Sequence, residues 1–267
     1  MKRTNFHSHT TRCLHASGSD EAYVLAAIKG GYSELGFSDH SPWPYEDGFV
    51  SGIRMPLSQY QDYLDSAHAL QAKYRGQINL RVGLEAEYYP QHHGWLTEQK
   101  DSGALDYVIL GSHFDAPEEP LYFGGNLNRQ GLYRYAKHTI RGMETGLFCA
   151  LAHPELFMVS LNSFDADCEH ISRDLIQAAK ALNMPLEYNL SGLYPMSWRT
   201  GLGYPLPQFW QMVAEDGAAA IIGLDAHNPE RYADTQVYDK AAKDLADLGI
   251  KRLESLPCLN QKQAETA

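Results

Sequence analysis

No apolar run in this chain approaches the roughly 20 residues needed to cross a bilayer, the longest reaching about five or six. The opening M-K-R-T-N-F-H also lacks the apolar stretch of a signal peptide, so a cytoplasmic protein with no membrane partner is expected. Cysteine is scarce. Cys13, Cys149, Cys168 and Cys258 show no C-x-x-C spacing, which argues against a disulfide framework or a thiolate zinc site and predicts reduced, mostly buried thiols. Basic charge is short as well: 22 lysines and arginines face 33 acidic residues, for a formal charge of -11, with no Lys/Arg run to follow a phosphate backbone. Nucleic acid is therefore not expected as a partner. Small phosphate esters are not excluded, because metal ions held by carboxylates and imidazoles make a site locally positive.

What is present suffices for one large core, since 44% of the 267 residues are hydrophobic and 11% aromatic. Short β-prone runs alternate with segments of helical period. Ser19 or Asp20 can cap a helix over A-Y-V-L-A-A-I-K that ends at Gly30-Gly31, and Y-S-E-L-G-F-S then reads as a strand. Tyr60, Tyr63, Leu64, Ala67, Leu70 and Tyr74 share one helix face before the strand I-N-L-R-V-G-L-E-A. Further strands are predicted in D-Y-V-I-L-G-S, L-F-C-A-L-A, M-P-L-E-Y-N and A-A-A-I-I-G-L, with helices over 128–145 and around Ile171, Leu175 and Leu182. Counting one at 4–7, this makes about seven strands with no linker between them, so a single α/β domain over 1–267 is expected. Near-continuous apolar strands imply a parallel sheet covered on both faces, as a closed barrel or an open sheet.

The unusual polar residues favour the barrel. His7 and His9 follow the first strand, Asp39 and His40 the second, and Glu85 closes the third; His113, His153, Asp225 and His227 follow later ones. A barrel gathers the C-terminal ends of its strands into one mouth, whereas an open sheet spreads them along an edge. His68, His92, His93, His138 and His170 fall away from strand ends and read as surface or packing residues. Imidazoles and carboxylates without thiolates suit Zn, Mn or Fe, and so many ligands are too many for a single ion. Hydrolysis is the chemistry such a cluster supports.

These motifs resemble those of the polymerase-and-histidinol-phosphatase (PHP) superfamily: H-S-H with His15 six residues after His9, then S-D-H-S, G-L-E, G-S-H, A-H-P-E and G-L-D-A-H. The resemblance implies a distorted (β/α)7 TIM-like barrel holding three divalent metal ions at the C-terminal ends of its strands. It assigns His7, His9, Glu85 and Asp225 to one ion, Glu85 as a bridge with His113 and His153 to a second, and His15, His40 and His227 to a third. Glu85 is preferred over Glu87 because it occupies the glutamate of G-x-E. The size, G-F-S-D-H-S-P, I-R-M-P-L-S-Q-Y and G-L-E-A-E-Y-Y-P are most similar to the single-domain histidinol-phosphate phosphatases. The implied reaction hydrolyses L-histidinol phosphate to L-histidinol and phosphate, with a metal-bridging hydroxide as nucleophile. The alternative is a PHP phosphoesterase acting on nucleotides or another small phosphate ester.

A further cation should steady the phosphoryl oxygens, and Arg199 in S-W-R-T leads Arg54 as the candidate. The leaving alkoxide needs a proton, for which Asp115 and His40 are the side-chain candidates. Histidinol carries an ammonium and an imidazole, which an acidic, aromatic wall of Asp39, Glu87, Tyr88, Trp43 and Trp198 would suit.

Overall fold

Ser19 accepts a hydrogen bond from the Ala22 amide and so opens the first helix, α1 (Asp20–Lys29). Asn128 and Asp165 cap α4 (Arg129–Glu144) and α5 (Ala166–Ala181) in the same way. On α2 (Tyr60–Lys73) the predicted stripe of Tyr60, Tyr63, Leu64, Ala67 and Leu70 is the buried face. Helices α3 (His93–Asp101), α6 (Pro207–Asp216) and α7 (Thr235–Asp247) complete the set among the described residues. The structure is a computed structural model that describes residues 2–46, 48–195 and 200–259.

The strands are β1 (Arg3–Asn5), β2 (Tyr32–His40), β3 (Asn79–Ala86), β4 (Tyr107–Leu110), β5 (Leu186–Asn189), β6 (Ala220–Gly223) and β7 (Arg252–Leu253). They run parallel in two sheets, ordered β1-β2-β3-β4 and β5-β6-β7. One predicted strand departs from expectation. L-F-C-A-L-A makes only single bridges, Leu151 pairing with Leu110 on one side and with Leu186 on the other. The chain turns away at once because His153 takes a φ of 28° and Pro154 follows, which ends regular pairing. That short segment still joins the sheets, since the Ala152 amide donates to the Leu110 carbonyl and the Glu187 amide to the Leu151 carbonyl. A further bridge between Ser8 and Ala226 brings the end of β1 to the end of β6. The result is a curled parallel sheet with helices outside it.

Tyr107 fills the inside of the curl. Its hydroxyl donates to the Phe6 and Phe37 carbonyls, 2.7 and 3.1 Å away. Its ring lies where a side chain on Gly83 would stand, a Cβ there meeting it at 2.6 Å. Phe6, Ile109, Ala150, Ile221 and Leu256 pack around it and fill one end of the curl, leaving the opposite end for polar residues.

The thiols differ from expectation. Cys149 and Cys258 form a disulfide across 109 residues, fastening the C-terminal segment to the plug, while Cys13 and Cys168 are buried and free. A local spacing rule does not register a pair so far apart in sequence, and such a bond acts chiefly by constraining the unfolded chain.

Candidate metal centre

Parallel strands in register deliver the polar residues to one end. Pairing of β2 with β3 sets His40 directly beside Glu85. His7 and His9 leave the end of β1, His113 follows β4, and Asp225 follows β6. His153 and Asp225 hold left-handed φ angles of 28° and 47°, a strained backbone of the kind that persists where packing demands a particular side-chain direction.

All nine predicted ligands come together. Their donor atoms fall into overlapping groups with members within 4.8 Å of one another: His7, His9 and Glu85; His7, His153 and Asp225; His40, Glu85 and His113; His15, His40 and His227. Glu85 is central, and its two oxygens face different neighbours. Oε2 lies 3.3 Å from His7 Nε2, 3.6 Å from His9 Nε2 and 3.0 Å from His40 Nδ1. Oε1 lies 2.8 Å from His153 Nε2 and 3.4 Å from His113 Nε2. Asp225 Oδ1 closes one side, 3.2 Å from His9 Nε2 and 3.6 Å from His7 Nε2.

The donor set fits divalent cations. His15 Nδ1 and His227 Nδ1 each lie against a backbone carbonyl, of Cys13 at 2.7 Å and of Asp225 at 3.1 Å. A carbonyl only accepts, so both rings carry their proton on Nδ1. Their Nε2 lone pairs then face each other at 2.9 Å. Burial and the nearby charge of His9 lower the pKa of both rings, that of His227 to about 3, so neither is cationic at neutral pH. Two opposed lone pairs suit a shared cation. His7 Nε2, His9 Nε2 and Glu85 Oε2 are likewise buried without hydrogen-bond partners among the described residues.

The field around them favours positive charge. Burial alone would lower the His9 pKa, yet the Asp225 and Asp39 carboxylates beside the ring raise it to about 9. Burial would raise the Glu85 carboxyl, but the charges of His113, His7 and His40 hold it well below the usual carboxylate range. Cys13 lies near His9 and His227. Burial pushes its thiol up to about 12.

Outside this cluster several residues sit elsewhere than expected. Asp39, Glu87 and Trp43 are buried rather than lining a mouth. Asp39 Oδ1 lies 3.4 Å from His9 Nδ1 and its other oxygen accepts from the Thr10 amide. Glu87 Oε1 lies 3.2 Å from His113 Nδ1, and the Trp43 indole donates to its Oε2 at 3.1 Å. These groups stand behind ligand candidates, on the far side of the imidazoles. Tyr88 packs against the His138 ring. Arg54 is spent on other partners: it donates to both oxygens of Glu87 at 2.9 Å and to Glu119 at 3.2 Å, fully buried. A guanidinium committed to two carboxylates has no fork left for a phosphate. Asp115 is ion-paired to Arg134 at 2.5 Å. His40 faces Glu85 within the cluster. Arg199 and Trp198 lie outside the described residues.

A pocket of about 480 Å³ opens over the cluster. Phe114, Tyr122, Tyr194, Tyr204 and Arg231 help to wall it. Sequence reasoning missed these residues because they come from loops without a motif. It also passed over Glu187, although an acidic residue inside an apolar strand is the same signal that marks Glu85.

Residues 5–191 match the family model described as PHP domain. The probable histidinol-phosphatase of Deinococcus radiodurans is 30% identical over 262 residues, covering 91% of this chain and 92% of its own. That of Schizosaccharomyces pombe is 27% identical, covering 84% of this chain and 80% of its own. Among solved structures, histidinol phosphate phosphatase from Lactococcus lactis, complexed with zinc, L-histidinol and phosphate, superposes with a TM-score of 0.73. Its identity is 18%, with 97% of this chain and 98% of that chain covered, so it speaks for the fold. No helix among the described residues is long and apolar enough to cross a membrane. Because the family model matches well over half of the chain and the Deinococcus relative nearly all of it, the chain belongs to the PHP domain family.

Proposed function

We propose that this protein is a metal-dependent phosphomonoesterase that hydrolyses L-histidinol phosphate to L-histidinol and phosphate. The observation that carries the reading is the Glu85 carboxylate, whose Oε2 faces His7 and His9 while Oε1 faces His113 and His153. That split suits a bridge between two ions. On this reading His7, His9, Glu85 and Asp225 would hold one ion, Glu85, His113 and His153 a second, and His15, His40 and His227 a third, each Zn, Mn or Fe. The curled sheet is then the distorted (β/α)7 barrel of one domain. Bound ions supply Lewis acidity, lowering the pKa of water and neutralising phosphoryl oxygens. The curated relatives named histidinol-phosphatase support the choice of substrate within the family.

The chain's own residues then bind and orient the ester. Phe114, Tyr122 and Tyr204 offer aromatic faces for the imidazole and ammonium of histidinol. Arg231 is the lysine or arginine among the described lining residues, its guanidinium 3.4 Å from the Tyr194 ring centre. Stacking and a hydrogen bond to the Tyr194 side chain hold the planar group in place, and its remaining N–H groups would serve the phosphate, the role that Arg54 does not fill. Arg199, the leading candidate from the sequence, lies outside the described residues and stays a candidate beside Arg231. Removing a charge-assisted hydrogen bond costs about 1.5–3 kcal/mol, so Arg231→Ala should raise KM for histidinol phosphate about tenfold to a hundredfold. A KM within a factor of about two of the parent would remove Arg231 from this role. A cytoplasmic setting belongs to the same reading.

The assignment is tested by assaying purified, Mn- or Zn-loaded protein on histidinol phosphate, a nucleoside monophosphate and an aryl phosphate. A preference for histidinol phosphate of at least about a hundredfold in kcat/KM, roughly 2.7 kcal/mol of discrimination, is expected. Equal rates on all three would leave a general PHP phosphoesterase.

A further inference from the structure

Glu187, on β5, contacts two ligand candidates, His7 and His153, that the proposed arrangement gives to different ions. Its Oε1 lies 2.8 Å from His7 Nδ1. Its Oε2 accepts from the His153 backbone amide at 2.9 Å and from the Asn189 side-chain amide at 2.8 Å. The carboxylate is buried, and it occupies space that only glycine leaves free: a Cβ on Gly223 would stand 1.7 Å from Oε1.

We propose that Glu187 is a positioning residue that sets the tautomer of His7 and the backbone of His153, and thereby couples the first and second ion sites. The proposal rests on the metal-centre reading above. A carboxylate at Nδ1 accepts the ring proton, which directs the Nε2 lone pair toward Glu85 and Asp225. The same group, through its second oxygen, holds the amide of His153, whose φ of 28° is otherwise unfavourable. One side chain thus orders a ligand candidate of each of those two sites.

The surroundings make the charge indispensable and not merely the shape. Asn189 Oδ1 accepts from the Ser191 amide at 2.9 Å, which fixes its Nδ2 as a donor. Two donors, from His153 and Asn189, therefore converge on Oε2, and that position must be an acceptor. In Glu187→Gln the amide oxygen takes that place and the NH2 faces His7 Nδ1. His7 Nδ1 must then accept, its proton moves to Nε2, and the atom facing the ions becomes a donor. An isosteric change inverts the ligand.

The test compares parent and Glu187→Gln as full-length protein. Melting in the presence of chelator reports the fold, zinc affinity by chelator competition reports the centre, and two-bond 15N–1H NMR of labelled histidine reports the tautomer. Expected are a parent-like metal-free melting temperature, a loss of zinc affinity of about 10–100-fold, and a change of His7 away from the Nδ1–H form. Parent-like zinc affinity in the variant would overturn the proposal. Should the variant not fold, the zinc-loaded parent decides: His7 must carry its proton on Nδ1, and a proton on Nε2 is incompatible with the idea. None of these readouts uses a substrate, so an inactive parent would count against the proposed reaction and leave the role of Glu187 standing.

Discussion

Glu85→Gln is expected to lower kcat/KM for histidinol phosphate by about a thousandfold or more, which corresponds to roughly 4 kcal/mol of transition-state stabilisation. Each carboxylate oxygen faces its own set of imidazoles, so both must be acceptors for two ions to be held. An amide has one acceptor oxygen. Its NH2 would point either at His7, His9 and His40 or at His113 and His153, and the centre would also lose a negative charge. Elemental analysis of the dialysed variant should show fewer ions per chain than the parent. A variant with full metal content and activity within about tenfold of the parent would remove Glu85 from the bridge.

Arg54→Met should act on stability instead. The guanidinium is fully buried between Glu87 and Glu119, and burial is outweighed by the charge of Glu87, which raises the Arg54 pKa further above its ordinary value. Removing one partner from a buried pair leaves an uncompensated charge, at a cost of about 3–5 kcal/mol. Urea denaturation of the metal-free proteins measures this directly. Arg54→Lys should recover part of the loss, because a lysine restores the charge without the two-pronged geometry that spans both Glu87 oxygens. If Arg54 bound phosphate, the methionine variant would show a raised KM and parent-like stability. The two outcomes are opposite.

Glu87 lies between Arg54 and the candidate metal cluster. It holds Arg54 on one side and lies against His113 Nδ1 on the other, with the Trp43 indole donating to it. Asp39 stands behind His9 and Glu187 behind His7 in the same manner. Three buried carboxylates therefore back three ligand candidates, each on the face of the ring turned from the cluster. In sequence, Asp39 and Glu87 have the same appearance as residues of an acidic mouth. Glu87, two positions beyond Glu85, is expected on the same side as that ligand, and how deep its side chain sits is a matter of packing.

The linear order of residues determined the strand-end histidines and carboxylates, the helix start at Ser19 or Asp20, and the buried stripe of α2. Those features are local: period, cap chemistry and ligand type are all properties of a few adjacent residues. Tertiary structure decided what depends on distant segments meeting. It reduced L-F-C-A-L-A to bridges, joined Cys149 to Cys258, consumed Arg54 on Glu87 and Glu119, brought Arg231 to the pocket wall, and set Glu187 against both His7 and His153. Whether a buried charge reaches a ligand, a partner or a substrate is governed by distances of a few ångströms between elements far apart in the chain, and periodicity carries no record of those distances.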